Sequence, residues 1–268
     1  MAKLKFRDHL KQIVTVNRKP LTPLACSLCF TSAIIAISVL ACALPVAAQD
    51  WRVVRRAAAT GANRDFNTVH FANDEHGWVA GDRGVIFQTR DGGTTWTPQS
   101  SGVTGDINDI YFRNEEDGFF LVGNRIFATT TGGAVWRERA IFAPGDFDGA
   151  TPELYSITFA NNRRGWIVGS VVRREQVVDS LILSTSDGGQ TWRRQTAPIR
   201  EELIDLDFAG DERGWVVGSR GTILHTRDGG RSWVRQESRT TNHLYALAVE
   251  GRDFWAVGGG GIVLQYER

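Results

Sequence analysis

The chain has 268 residues and a formal net charge of +1, enough for one large domain or two small ones. All four lysines and all three cysteines (Cys26, Cys29 and Cys42) precede residue 49, and beyond it 25 Arg stand against 29 Asp plus Glu, a balance of −4. That weak acidity excludes a general nucleic-acid binder, which needs a clear basic excess, and no cysteine is left downstream for disulfides or thiolate chemistry.

Residues 1–48 read as an export segment. Met1 to Lys19 is basic, Leu21 to Leu44 carries no charge, and Pro45 breaks any helix ahead of the small-residue site Val46-Ala47-Ala48. Three outcomes stay open: cleavage as a signal peptide, lipidation at Cys42 through the loose lipobox "VLAC", and retention as an N-terminal membrane anchor. Each places residues 49–268 outside the cytoplasm, in a periplasm or equivalent space, and the last two associate the protein with a membrane.

From residue 51 the chain repeats. An F…GW-x-VG phrase occurs at Phe71…Gly77-Trp78, Phe112…Gly118-Phe119, Phe159…Gly165-Trp166 and Phe208…Gly214-Trp215, with a last copy at Val249…Phe254-Trp255. The Trp/Phe spacings are 41, 47, 49 and 40. A period of that size with strand-like content denotes propeller blades rather than a helical solenoid. In the third unit, "LYSITFA" alternates at period two, and "GWIVG", "SLILSTS" and "TWRRQTA" supply three further strands.

The expected fold is therefore all-β, a five-bladed propeller of four-stranded antiparallel blades forming one domain over residues 49–268. The fifth unit ends at "GGIVLQYER" without a fourth strand. "WRVVR" (Trp51 to Arg55) matches the "WRERA", "WRRQT" and "WVRQE" that end other units. This N-terminal strand is expected to become the outer strand of the last blade and close the ring.

Between the third and fourth strands stands a second repeated phrase: "TRDGGTTW" (Thr89 to Trp96), "TSDGGQTW" (Thr185 to Trp192) and "TRDGGRSW" (Thr226 to Trp233), with a degraded copy "TTTGGAVW" (Thr129 to Trp136). Asp91, Asp187 and Asp228 can accept backbone N–H bonds as Asx-turns do. Gly92, Gly93, Gly188, Gly189, Gly229 and Gly230 permit positive φ. Trp96, Trp192 and Trp233 can pack across the turn, where burying one indole is worth roughly 5 kcal/mol before entropy. One carboxylate per turn is too few for a calcium loop, and copies on separate blades cannot converge on one substrate. The phrase is read as a structural staple, with no catalytic, metal or cofactor role.

These "DGG-x-[ST]-W" units resemble the Asp-box, or BNR, repeats of sialidases and other secreted propellers. The fuller pattern of Phe208 to Trp233 resembles the photosystem II stability/assembly factor family of lumenal propellers, over essentially residues 51–268. That resemblance implies a non-enzymatic photosynthesis-related assembly chaperone in a thylakoid lumen or periplasm, with a membrane complex subunit as its protein partner. Members of that family are typically seven-bladed, whereas this chain reads as five.

The face opposite the staples carries the hairpins after "VG": "GDRG" with Arg83, "GNRI" with Arg125, "GSVVRRE" with Arg173 and Arg174, and "GSRG" with Arg220; blade five has Gly260 there. These arginines are the candidate partner-binding residues, similar to the arginine patch of the assembly-factor propellers. Charged turns are ordinary, but guanidinium groups around one rim can steer an acidic partner and fork onto its carboxylates. Two inserts join the same face: "SVVRREQVVDS" (Ser170 to Ser180), and the connection holding Ile141, Phe142 and Phe147, as loop anchors or as residues tucked onto the blades. The alternatives are a sialidase-like glycosidase and a carbohydrate-binding propeller. A glycosidase would need a Tyr nucleophile and acidic partners, and Tyr111, Tyr155 and Tyr245 fall on inner strands, with Asp109 and Asp205 placed to line the channel.

Overall fold

A computed structural model describes residues 64–250 and 253–266. They form a five-bladed β-propeller with antiparallel sheets and no α-helix among the described residues. Blade one comprises β1 (Phe66–Phe71), β2 (Gly77–Gly81), β3 (Val85–Thr89) and β4 (Thr97–Ser100). Blade two holds β5 (Asp109–Phe112), β6 (Asp117–Val122), β7 (Arg125–Thr130) and β8 (Arg137–Ile141). Blade three, with β9 (Thr151–Phe159), β10 (Gly165–Arg173), β11 (Gln176–Thr185) and β12 (Arg193–Gln195), has the longest strands. Blade four follows with β13 (Leu203–Ala209), β14 (Arg213–Gly218), β15 (Ile223–Thr226) and β16 (Val234–Gln236). Blade five shows β17 (Leu244–Glu250), β18 (Asp253–Gly258) and β19 (Val263–Gln265). Its sheet has three strands among the described residues. The expected closing strand Trp51 to Arg55, like residues 1–48, lies outside the described residues.

The repeated phrase explains the packing between blades. The aromatic at the start of each second strand faces the next blade: Trp78 stacks on Phe112 with centroids 3.5 Å apart, and Trp166 on Phe208 at 3.9 Å. Phe119 meets Phe159 at 5.1 Å, and Trp215 meets Phe254 at 5.5 Å. The glycine before each of those aromatics is required by the same geometry. A Cβ at Gly77, Gly118, Gly165 or Gly214 would lie within 2.6 Å of the last Phe of the blade's first strand. Four apolar clusters result, one at each boundary from blade one to blade five. At the fifth boundary, Trp255 and Phe71 are each 42% exposed, where their counterparts Trp78 and Phe112 are 0% and 2%.

One position recurs three residues before the last Phe of each first strand: Thr68, Asp109, Ser156 and Asp205, with Ala246 in blade five. The ladder shifts register next to it in blades one, three, four and five, which turns backbone N–H groups away from their own sheet.

Candidate functional site

The Asp boxes are turn staples. Asp187 Oδ1 accepts from the amides of Gln190 and Thr191, and its Oδ2 accepts from Thr191 Oγ1 at 2.6 Å. Asp91 and Asp228 repeat the arrangement with Thr95 and Ser232. These bonds, led by the hydroxyl of that Thr or Ser, hold all three carboxyls below the usual carboxylate range. The glycine pairs have positive φ, as at Gly188 (76°) and Gly189 (83°). The tryptophans Trp96, Trp136, Trp192 and Trp233 each stand edge-on to the last Phe of their own blade's first strand. In the degraded copy, Thr131 Oγ1 accepts from the Val135 amide at 3.0 Å, so a hydroxyl takes over part of the carboxylate's task.

Antiparallel order puts the second-to-third hairpins at the blade ends that also carry the links between blades. Arg83 donates its amide to Asp106 Oδ1, Arg173 Nη2 donates to the Asp148 carbonyl, and Arg220 Nη1 pairs with Glu201 at 3.4 Å. The five candidate arginines thus occupy one face, but their settings differ. Arg125 starts β7, pairs with Glu138, and lies over the Phe127 ring. Arg173 ends β10 and is tied to the backbone. Among the described residues, the side chains of Arg83 and Arg174 make no hydrogen bond or ion pair, and both are exposed. Arg83, Arg174 and Arg220 all have left-handed backbone, with φ of 54°, 50° and 52°.

The long hairpin of blade three is strand rather than loop. β10 and β11 pair out to Arg173 and Gln176, leaving Arg174 and Glu175 as the turn. Val171 is buried there and Val177 exposed. In the neighbouring connection, Phe147 is buried and Phe142 packs on the core between blades two and three, while Ile141 remains 57% exposed. The aromatics there are therefore committed to the fold.

Asp109 and Asp205 sit on the inner wall, and their oxygens are spoken for. Asp109 accepts from Thr68 Oγ1 at 2.7 Å in blade one and from the Ile157 amide at 2.9 Å in blade three. Asp205 accepts from Ser156 Oγ at 3.0 Å and from the Leu247 amide at 2.9 Å, linking blades three, four and five. Burial among the inner strands pushes the carboxyls up, to about 6 for Asp109 and about 7 for Asp205. Tyr111 and Tyr155 are pushed up by burial as well, with hydroxyls bonded to the Phe159 carbonyl and to Glu153 and Ser170. Asp109, Asp205 and Tyr111 are blade-to-blade ties, and Tyr155 is bonded within blade three. The signal for that role was available in the sequence, because Thr68, Asp109, Ser156 and Asp205 share one repeat position.

The family model described as photosynthesis system II assembly factor YCF48 matches residues 46–108, 102–197, 149–239 and 192–267. No match is found among curated proteins. A solved structure described as YCF48 bound to D1 peptide is similar at 19% identity, covering 79% of this chain and 80% of that one, with a TM-score of 0.45. YCF48 from Cyanidioschyzon merolae is 15% identical over 76% of this chain and 95% of that one, with a TM-score of 0.35. A GH74 xyloglucanase from Xanthomonas campestris shares the propeller fold at 12% identity and a TM-score of 0.53, over 71% of this chain and 34% of the enzyme. Matched from residue 46 to residue 267, the chain belongs to the photosystem II assembly factor YCF48 family of BNR-repeat propellers.

Proposed function

We propose that this protein is a non-enzymatic, exported scaffold whose arginine hairpin face binds a polypeptide segment of a membrane protein complex and aids its assembly or stability. One observation carries the reading. Arg83 and Arg220 occupy, at φ of 54° and 52°, a turn position that Gly260 fills in blade five at φ of 68°. Left-handed backbone costs a non-glycine residue on the order of 1 kcal/mol, so the turn by itself favours glycine. The Arg83 guanidinium, which makes no hydrogen bond or ion pair among the described residues, is accounted for by contacts outside the fold, while Arg220 also pairs with Glu201. Arg174 adds a third such group at φ of 50°.

Guanidinium groups fork onto carboxylates, which suits an acidic polypeptide. Membership of an assembly-factor family supports a protein partner, and the basic and apolar pattern of residues 1–48 supports export. The reading is tested by affinity capture from native membranes. The wild-type chain should recover a membrane protein that the Arg83→Glu/Arg174→Glu/Arg220→Glu variant, folded equally well, does not.

A further inference from the structure

We propose that the cleft between blades three and four, on the Asp-box face, binds a tetrahedral oxyanion, a phosphate or sulfate that is free or carried as an ester. The cleft measures about 310 Å³, and Arg164, Arg193, Arg231, Ser184, Gln195 and Trp166 are among its walls. It lies on the face opposite the arginine hairpins and owes nothing to them.

The same place between blades one and two shows what is unusual here. There the positions of Ser184 and Gln195 are held by Gln88 and Gln99, and those of Arg164, Arg193 and Arg231 by His76, Thr97 and Ala134. Gln99 Nε2 donates to Gln88 Oε1 and to the Gly132 carbonyl, both at 3.0 Å, and Trp78 Nε1 donates to the same carbonyl at 3.3 Å. Two amide side chains fill that boundary, joined by one hydrogen bond, with Gln99 Oε1 left buried and without a partner. Between blades two and three the filler is Arg113, whose Nη1 donates to the Asn162 and Gly188 carbonyls.

Between blades three and four the amide pair is absent, and Arg164 takes the place of Arg113, its Nη1 lying against Gly229 as Arg113 Nη1 lies against Gly188. Ser184 is too short to take the part of Gln88, and Gln195 Oε1 instead accepts from Trp233 Nε1 at 3.2 Å. Trp166 Nε1 is buried without a hydrogen-bond partner, an arrangement that costs free energy. Arg164 is anchored by Asp211 at 3.2 Å and Arg231 by the Asp228 carbonyl at 3.2 Å. Arg193 and the Ser184 hydroxyl have no hydrogen-bond or ion-pair partner among the described residues.

Of the acids beside the cleft, Asp211 pairs with Arg164 and accepts from Asn161, and Asp187 and Asp228 spend their oxygens on donors of their own turns. The guanidinium donors come from three elements, Arg164 from the turn before β10, Arg193 from strand β12 and Arg231 from the Asp-box turn of blade four, and Arg164 and Arg231 keep N–H groups beyond the one contact each makes. A planar carboxylate is satisfied by one guanidinium fork, whereas donors arriving from three sides suit an anion with oxygens in three directions.

The test is a titration of the isotope-labelled full chain with sodium phosphate, sodium sulfate, sodium acetate and glucose 6-phosphate at matched ionic strength. The readout is the indole N–H resonance of Trp166, assigned by its loss in Trp166→Phe. Phosphate and sulfate should move it saturably and acetate should not. Tighter binding of glucose 6-phosphate than of phosphate identifies an ester as the ligand, and equal or weaker binding identifies the free ion. Arg193→Ala should weaken phosphate about tenfold or more. Ser184→Gln, which recreates the blade-one filler, should abolish binding with the unfolding midpoint unchanged. A response to phosphate that does not saturate, an equal response to acetate, or full binding by Arg193→Ala overturns the proposal. Arg193 is exposed, so its variant decides the matter even if Ser184→Gln does not fold.

Discussion

Ser156 Oγ donates a 3.0 Å hydrogen bond to Asp205 Oδ1 across the boundary between blades three and four. With the Leu247 amide on its other oxygen, one carboxylate ties three consecutive blades, as Asp109 does for blades one, two and three. Sheets that also meet through aromatic stacking and scattered hydrogen bonds are thereby held in a fixed angular order.

That arrangement makes stability depend on pH with a definite sign. Burial raises Asp109 to about 6 and Asp205 to about 7 in the folded protein. A raised folded value means the folded state holds the proton more tightly, so the contribution is fully present below the unfolded value of roughly 4. It is lost as pH rises through about 6 and 7. Melting temperatures measured from pH 5 to pH 8 should fall more steeply for wild type than for Asp109→Asn/Asp205→Asn. Parallel curves would contradict the assignment.

The aromatic stacks give a second prediction. Trp78 is fully buried against Phe112, so Trp78→Ala should cost about 3–5 kcal/mol in denaturant unfolding. Trp255, the matching residue of blade five, is 42% exposed, and Trp255→Ala should cost no more than about 1–2 kcal/mol. Equal losses would show that the boundary between blades five and one is as tightly packed as the others.

The fold was legible in the chain because each blade has to solve the same packing problem with the same residues. The glycine of "GW" and the Phe before it are fixed by a sub-van der Waals approach, and the Asp box by its hydrogen-bonded turn. The candidate site was only partly legible. The hairpin arginines could be placed on one face, but Arg125 pairing with Glu138 and Arg173 holding the Asp148 carbonyl depend on which links fold back beside them. The "SVVRREQVVDS" insert looked like a loop because its charged centre hides the pairing of β10 with β11. Whether Phe142 and Phe147 face solvent was equally undecidable from sequence, since their burial depends on the cluster between blades two and three.

Closure of the ring gives a third prediction. In blade four, His225 of β15 pairs with Val234 of β16. By the repeat, Gln265 of β19 corresponds to His225 and Arg52 to Val234. All native cysteines precede residue 49, so the variant Arg52→Cys/Gln265→Cys introduces a clean pair in a chain that starts at residue 49. Oxidation should form an intramolecular disulfide that raises the unfolding midpoint. Intermolecular products alone would exclude this pairing.

The hairpin arginines allow stability and binding to be separated. Arg83→Gly/Arg220→Gly relieves left-handed backbone at two turns and should leave stability unchanged or raise it by up to about 1 kcal/mol. The deciding measurement is affinity capture from native membranes with wild type, this glycine variant and the Arg83→Glu/Arg174→Glu/Arg220→Glu variant, each shown to be folded. Wild type should recover a membrane protein, the glycine variant markedly less of it and the glutamate variant none. Equal recovery by all three would contradict a binding role for the arginine hairpin face.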